Sequence, residues 1–114
     1  MASAELEPLR ALLERCSEKL PGVTQRKMFG CAAFFAQRTI YGLIWKTGRI
    51  GLKVTDRRSY ETLMAIDGAE PWTIGKKTMS HWILVPRSFH KNSERLRQWV
   101  QLAHQMAHEA AGDH

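Results

Sequence analysis

Apolar and polar positions are most sharply patterned across residues 40–54, IYGLIWKTGRIGLKV, where two β-rich runs flank a turn centred on Thr47 and Gly48. A two-residue turn pairs Lys46 with Arg49. It then sets Trp45 against Ile50, Leu43 against Leu52 and Tyr41 against Val54 on one face. Gly42, Ile44, Gly51 and Lys53 fall on the other. The expected hairpin has an apolar wall for helices to cover and a thin, glycine-bearing face that is basic at its margin.

The flanking pattern supplies the cover. Leu6, Leu9, Leu13, Cys16 and Leu20 recur at spacings of three and four and predict a helix over 4–20, stopped by Pro21-Gly22. Pro8 is tolerable only near its first turn, which favours a later start. Residues 23–36 read as one or two strands in which Met28, Phe29, Phe34 and Phe35 supply bulk. The small run Gly30-Cys31-Ala32-Ala33 marks a bulge or a close backbone approach. Gln37-Arg38 is a turn without Gly, Asn or Asp. Thr55 or Asp56 caps a second helix over 57–66, and Gly68 stops it. Strands follow at 70–74 and 79–85 around Gly75-Lys76-Lys77. Asn92 then caps a last helix that buries Leu96, Trp99, Val100, Ala103, Met106, Ala107 and Ala110. Consecutive strands joined by short turns imply one α+β domain over 1–114: an antiparallel sheet built around the central hairpin, with helices packed on one face.

Charge changes this picture more than bulk composition does. The net charge of +6 is unevenly spread, since residues 19–55 and 71–93 contain no acid. The presumed strands and turns are therefore basic. Arg26, Lys27, Lys46, Arg49, Lys53, Lys76 and Lys77 are the candidate contacts to nucleic acid or to an acidic partner. The same residues also guard strand edges. No apolar run approaches the roughly 20 residues of a membrane span, and the acidic, amphipathic N-terminus is unlike a signal peptide, so a soluble cytoplasmic protein is expected.

Residues able to carry chemistry are sparse. Phosphate-loop, nucleophile-elbow and HExxH signatures are missing from the sequence. Cys16 and Cys31 form no CxxC and read as buried reduced thiols. Cys31 and His81 become a thiol–imidazole pair only if the fold joins them. His104 and His108 have the spacing of two ligands on one helix, but Asp113 and His114 are the only third ligands in view, so a polar helix flank is the simpler reading. Trp45 belongs to the apolar wall. Trp72 and Trp82, whose facing no paired turn fixes, are core anchors or stacking platforms. No catalytic residue, metal or cofactor is expected.

Taken in order, RKMFG at 26–30, GLKV at 51–54, GAEPW at 68–72 and MSHWILVP at 79–86 form one pattern. With it, nearly the whole chain resembles the N-terminal domain of the TfoX/Sxy family of bacterial competence regulators, as a stand-alone version. The resemblance implies a small α+β domain without known catalytic activity. Family regulators promote transcription of DNA-uptake genes in cooperation with a DNA-bound activator, and usually carry a second, helical domain. The family offers no catalytic or ligand residue to carry over. Cys31 stands where a second glycine is common, Gln37-Arg38 lacks the usual turn glycine, and His81 replaces a frequent aromatic. The expected function is a non-enzymatic regulatory module acting by contact with a transcription-associated protein, away from membranes. The alternative is a domain that binds nucleic acid directly through its basic strand-turn surface.

Overall fold

The computed structural model describes residues 2–112, with side chains described over 6–110; Asp113 and His114, the third-ligand candidates, lie outside the described residues. The chain runs α1 (Ala2–Ser17), β1 (Val23–Met28), β2 (Cys31–Ala36), β3 (Thr39–Trp45), β4 (Arg49–Lys53), α2 (Arg57–Met64), β5 (Glu70–Ile74) and β6 (Lys77–Leu84). A 3₁₀ turn (Arg87–Lys91), absent from the sequence expectation, then leads into α3 (Ser93–Gly112). The α+β expectation holds. Six strands form one sheet in the order β1-β2-β3-β4-β6-β5, and every neighbouring pair is antiparallel.

Local chemistry sets most of the boundaries. The Asp56 carboxylate accepts from the Ser59 amide at 2.9 Å and starts α2, and the Asn92 side-chain oxygen accepts from the Arg95 amide at 3.2 Å beside the start of α3. Helix α1 begins at Ala2 and runs through Pro8 rather than starting after it. The proline removes one helical amide there. Two-residue loops join three of the hairpins: Phe29-Gly30, Gln37-Arg38 and Gly75-Lys76. Phe29 and Gly30 both take positive φ, 57° and 75°, the signature of a type I′ turn. The presumed bulge at Gly30 is thus the turn that divides residues 23–36 into two strands.

The central hairpin exists, but its register differs by one residue from the sequence expectation. Trp45 stands opposite Arg49, Ile44 opposite Ile50 and Leu43 opposite Gly51. The loop is Lys46-Thr47-Gly48, with Gly48 at φ 83° and its amide donating to the Trp45 carbonyl at 3.0 Å. A three-residue loop of this kind needs a left-handed residue only at its last position, which glycine fills, and it spares β-branched Thr47 a positive φ. Because strand faces alternate, the slip moves side chains to opposite sides. Tyr41, Ile44, Ile50, Leu52 and Val54 lie under the helices, in one core with Leu13, Phe34, Leu96 and Val100. Leu43 and Trp45, expected there, lie in a second cluster with Cys31, Phe35, Trp72, Trp82 and Leu84.

An extra residue in β3 completes this division. The β2–β3 register shifts between Phe34 and Phe35, leaving Tyr41 unpaired between Gly42 and Ile40. Tyr41 and Ile44 can then both serve the helix-side core. Gly42 also faces that side, where an added Cβ would lie 3.2 Å from Leu52 and 3.4 Å from Leu13. The face expected to be thin is in fact aromatic. Trp72 is fully buried there, with ring centroids 5.1 Å from Trp45, 5.0 Å from Trp82 and 5.6 Å from Phe29. Phe29 is the tip of the β1–β2 hairpin and Trp72 belongs to the far edge strand. Their contact means that the sheet curls toward itself, which buries its second face without helices.

Candidate partner-binding surface

The curl gathers part of the basic set at one end of the sheet. Arg26, opposite Ala33, carries its guanidinium carbon 4.3 Å from the centroid of the Phe35 ring. Lys46, in the β3–β4 loop, holds its ammonium 5.2 Å from a Trp45 ring centroid. Each contact is worth about 0.5–1 kcal/mol at an exposed site. It also keeps a cation over the aromatic cluster rather than free in solvent. Lys27 is exposed on the opposite side of β1 and borders a cleft shared with Leu6, Arg10, Cys31 and Ile44. Neither Arg26 nor Lys27 forms an ion pair among the described residues.

Within this basic frame stands an apolar tip. Phe29 is 53% exposed and Met28 37% exposed. Sequence reasoning counted both as strand bulk. Only the I′ geometry turns them outward, and a bulky aromatic at positive φ has no sequence signature, because glycine, asparagine and aspartate are the usual occupants.

The remaining candidates lie elsewhere. Lys53 is half-buried opposite Trp82, and Lys76 and Lys77 are exposed at the β5–β6 turn. Leu84 pairs with Gly51 and Glu70 near the Trp45 end, so Lys77, at the start of β6, is displaced along the strand by on the order of 20 Å. The exposed candidates are therefore divided between the two ends of the sheet, Arg26, Lys27 and Lys46 at one and Lys76 and Lys77 at the other.

Arg49 is a correction. It is only 6% exposed, and its guanidinium donates to the Gly68 and Val85 carbonyls at 2.9 Å each, to the Leu84 carbonyl at 3.3 Å and to the Glu70 carboxylate. Its charge and donors are consumed in tying the end of β6 to the start of β5, so it offers nothing to a surface partner.

The other chemical candidates have structural occupations. His104 is buried rather than on a polar flank. One ring nitrogen lies 2.8 Å from the Pro21 carbonyl oxygen, and the ring meets Tyr41 edge-on. His108 stacks on it at 5.8 Å, and one of its ring nitrogens lies 3.3 Å from the Gln37 side-chain nitrogen Nε2. Among the described residues no group of three or more metal-binding side chains is present. Cys31 and His81 border separate clefts. The Cys31 thiol donates to the Met28 carbonyl at 3.1 Å, and burial pushes it above its ordinary pKa. Cys16 is likewise buried, free and raised, chiefly by desolvation. His81 is exposed at φ 70° within the irregular stretch of β6, and its carbonyl accepts from the Val54 amide at 2.7 Å. Trp72 and Trp82 are buried and so are not stacking platforms.

No described helix is long and apolar enough to cross a membrane. Comparison with curated proteins returns no match. Comparison with protein families does: the model of the TfoX N-terminal domain matches residues 14–107.

Proposed function

Because the chain belongs to the TfoX N-terminal domain family, a competence-related regulatory family, we propose that it is a non-enzymatic regulatory module that works by contact with a transcription-associated protein. One observation carries this reading. Met28 and Phe29 form an exposed apolar tip directly after Arg26 and Lys27 in the chain, and Lys46 stands over Trp45 of the aromatic cluster that Phe29 touches through Trp72. An aromatic anchor within a polar rim is the usual composition of a protein-binding hot spot. The candidates singled out in the sequence have structural surroundings: His104 meets the Pro21 carbonyl, Cys31 donates to the Met28 carbonyl, and Cys31 and His81 border separate clefts. The test is affinity capture from a nuclease-treated bacterial lysate, comparing the wild-type chain with Phe29→Asp. The expected result is a transcription-associated protein retained by the wild type and lost with the variant. Recovery of none above background would contradict the proposal.

Direct nucleic-acid binding is the second reading, supported by the exposed cations Arg26, Lys27, Lys46, Lys76 and Lys77 together with half-buried Lys53. Duplex and single-stranded probes followed by fluorescence anisotropy across a salt series address it, because phosphate contacts make affinity fall steeply with salt.

A further inference from the structure

The two edges of the sheet differ in a way that selects a binding mode. Edge strand β5 is short and irregular, carries Pro71, and turns Trp72 into the core. Proline cannot donate to an added strand, and bulges spoil pairing. Edge strand β1 has neither defence. It is regular over six residues, VTQRKM, and every residue from Thr24 to Met28 is exposed.

Its hydrogen-bonding phase follows from its ends. The Phe29-Gly30 turn closes on Met28 and Cys31, and the Gln37 amide donates to the Gly22 carbonyl at 2.9 Å. Antiparallel pairs alternate, so Gly22, Thr24, Arg26 and Met28 bond inward to β2. Val23, Gln25 and Lys27 then point their amides and carbonyls away from the sheet, over about 13 Å of edge. Among the described residues no backbone group from outside the sheet bonds to them. Gln25 is held on the helix side by Arg10 at 3.2 Å and Glu14 at 2.7 Å, which leaves the edge itself open.

We propose that β1 accepts an extended acidic segment of a partner protein as a seventh strand, main chain to main chain at Val23, Gln25 and Lys27, with carboxylates meeting Arg26 on one face and Lys27 on the other. Charge complementarity selects this occupant. β1 contains two cations and no acid, so pairing with a second copy of itself would gather four cations along one seam. The strand-addition mode takes affinity from the backbone and specificity from alternate side chains. Phe29, at the end of the edge, supplies the apolar anchor. This inference rests on the protein-contact reading above and adds the partner's chemistry and its mode of docking.

The experiment uses the full chain and a fluorescein-labelled peptide of repeating Val-Thr-Glu-Glu, beside the same peptide with alternate backbone amides N-methylated and a version with lysine in place of glutamate. Anisotropy is expected to show binding of the acidic peptide alone. In amide exchange at a free peptide concentration ten times the Kd, Val23, Gln25 and Lys27 should slow about tenfold, because only the unbound fraction exchanges. The double variant Arg26→Glu, Lys27→Glu is expected to prefer the lysine peptide. The N-methylated peptide keeps the test decisive should that variant fold poorly. Equal binding of the N-methylated peptide, unchanged exchange at those amides, or no binding of the acidic peptide at low salt would overturn strand addition. Any of these leaves the protein-contact reading standing, since that reading falls only when capture recovers no transcription-associated partner.

Discussion

Trp45 stands directly opposite Arg49 across the β3–β4 ladder. The two side chains nevertheless have different tasks. Trp45 packs into the aromatic cluster, while Arg49 crosses to the carbonyls of Gly68, Leu84 and Val85. An arginine that resembles a surface contact in sequence is therefore a fastener between β4, β6 and the segment entering β5. Arg49→Met should destabilise the fold by about 2–4 kcal/mol, because it strands several buried carbonyls. Glu70→Gln should cost below about 1 kcal/mol, since the Glu70 side chain is 59% exposed and water replaces part of the ion pair. Urea unfolding of both variants checks the ordering.

Gly48 fixes the length of the same loop. It sits at φ 83° with open space where a Cβ would be, so its requirement is conformational and not steric contact. Gly48→Ala is expected to cost about 1–2 kcal/mol. Gly48→Asn should cost below about 1 kcal/mol, because asparagine tolerates the left-handed region. Equal losses measured by chemical denaturation would rule out this explanation.

Tyr41 links stability to alkaline pH. Its hydroxyl is buried and donates to Ser17 Oγ at 2.7 Å, and desolvation pushes its pKa up to about 12 from an ordinary 10.0. The neutral phenol is the form the fold favours. Its contribution is therefore complete below pH 10.0 and is lost as pH rises toward about 12. Urea midpoints should fall across that window in the wild type and fall less in Tyr41→Phe. That variant should also lose roughly 1 kcal/mol at neutral pH with the hydrogen bond.

The two thiols should report global unfolding. Cys16 is 4% exposed and Cys31 6%, and burial raises both above the usual thiol range. Little thiolate is available in the folded chain. An aromatic disulfide reagent at pH 8 should label both slowly in buffer and rapidly in denaturing urea. Fast labelling of Cys31 in buffer would mean that the β1–β2 hairpin opens locally.

Much of the fold was legible in the sequence, because helix spacing, caps and turn glycines act locally. The three-and-four spacing of Leu6, Leu9 and Leu13, the Asp56 cap and the Gly75 turn all operate within a few residues. The register of the hairpin was less accessible. Thr47-Gly48 satisfies a two-residue loop on composition, and only the reluctance of a β-branched residue to take positive φ argues for three. That one-residue difference moved Leu43 and Trp45 to the second face. Burial of Arg49 and His104 was harder still to read. Their partners, the carbonyls of Val85 and Pro21, are backbone groups distant in sequence that carry no side-chain signature. The exposed tip depended on Phe29 adopting a conformation that residue type disfavours.

The central claim, that partners meet the Arg26, Phe29 and Lys46 end of the sheet, is tested most directly by site-specific photocrosslinking. Phe29 and Ile74 are both exposed apolar residues, 53% and 38% accessible, and sit at different hairpin ends. A photoreactive phenylalanine analogue at each position, irradiated in a bacterial lysate, gives a matched pair. The account predicts a discrete adduct with a transcription-associated protein from position 29 and none from position 74. Adducts from position 74 alone, or the same adducts from both positions, would contradict it.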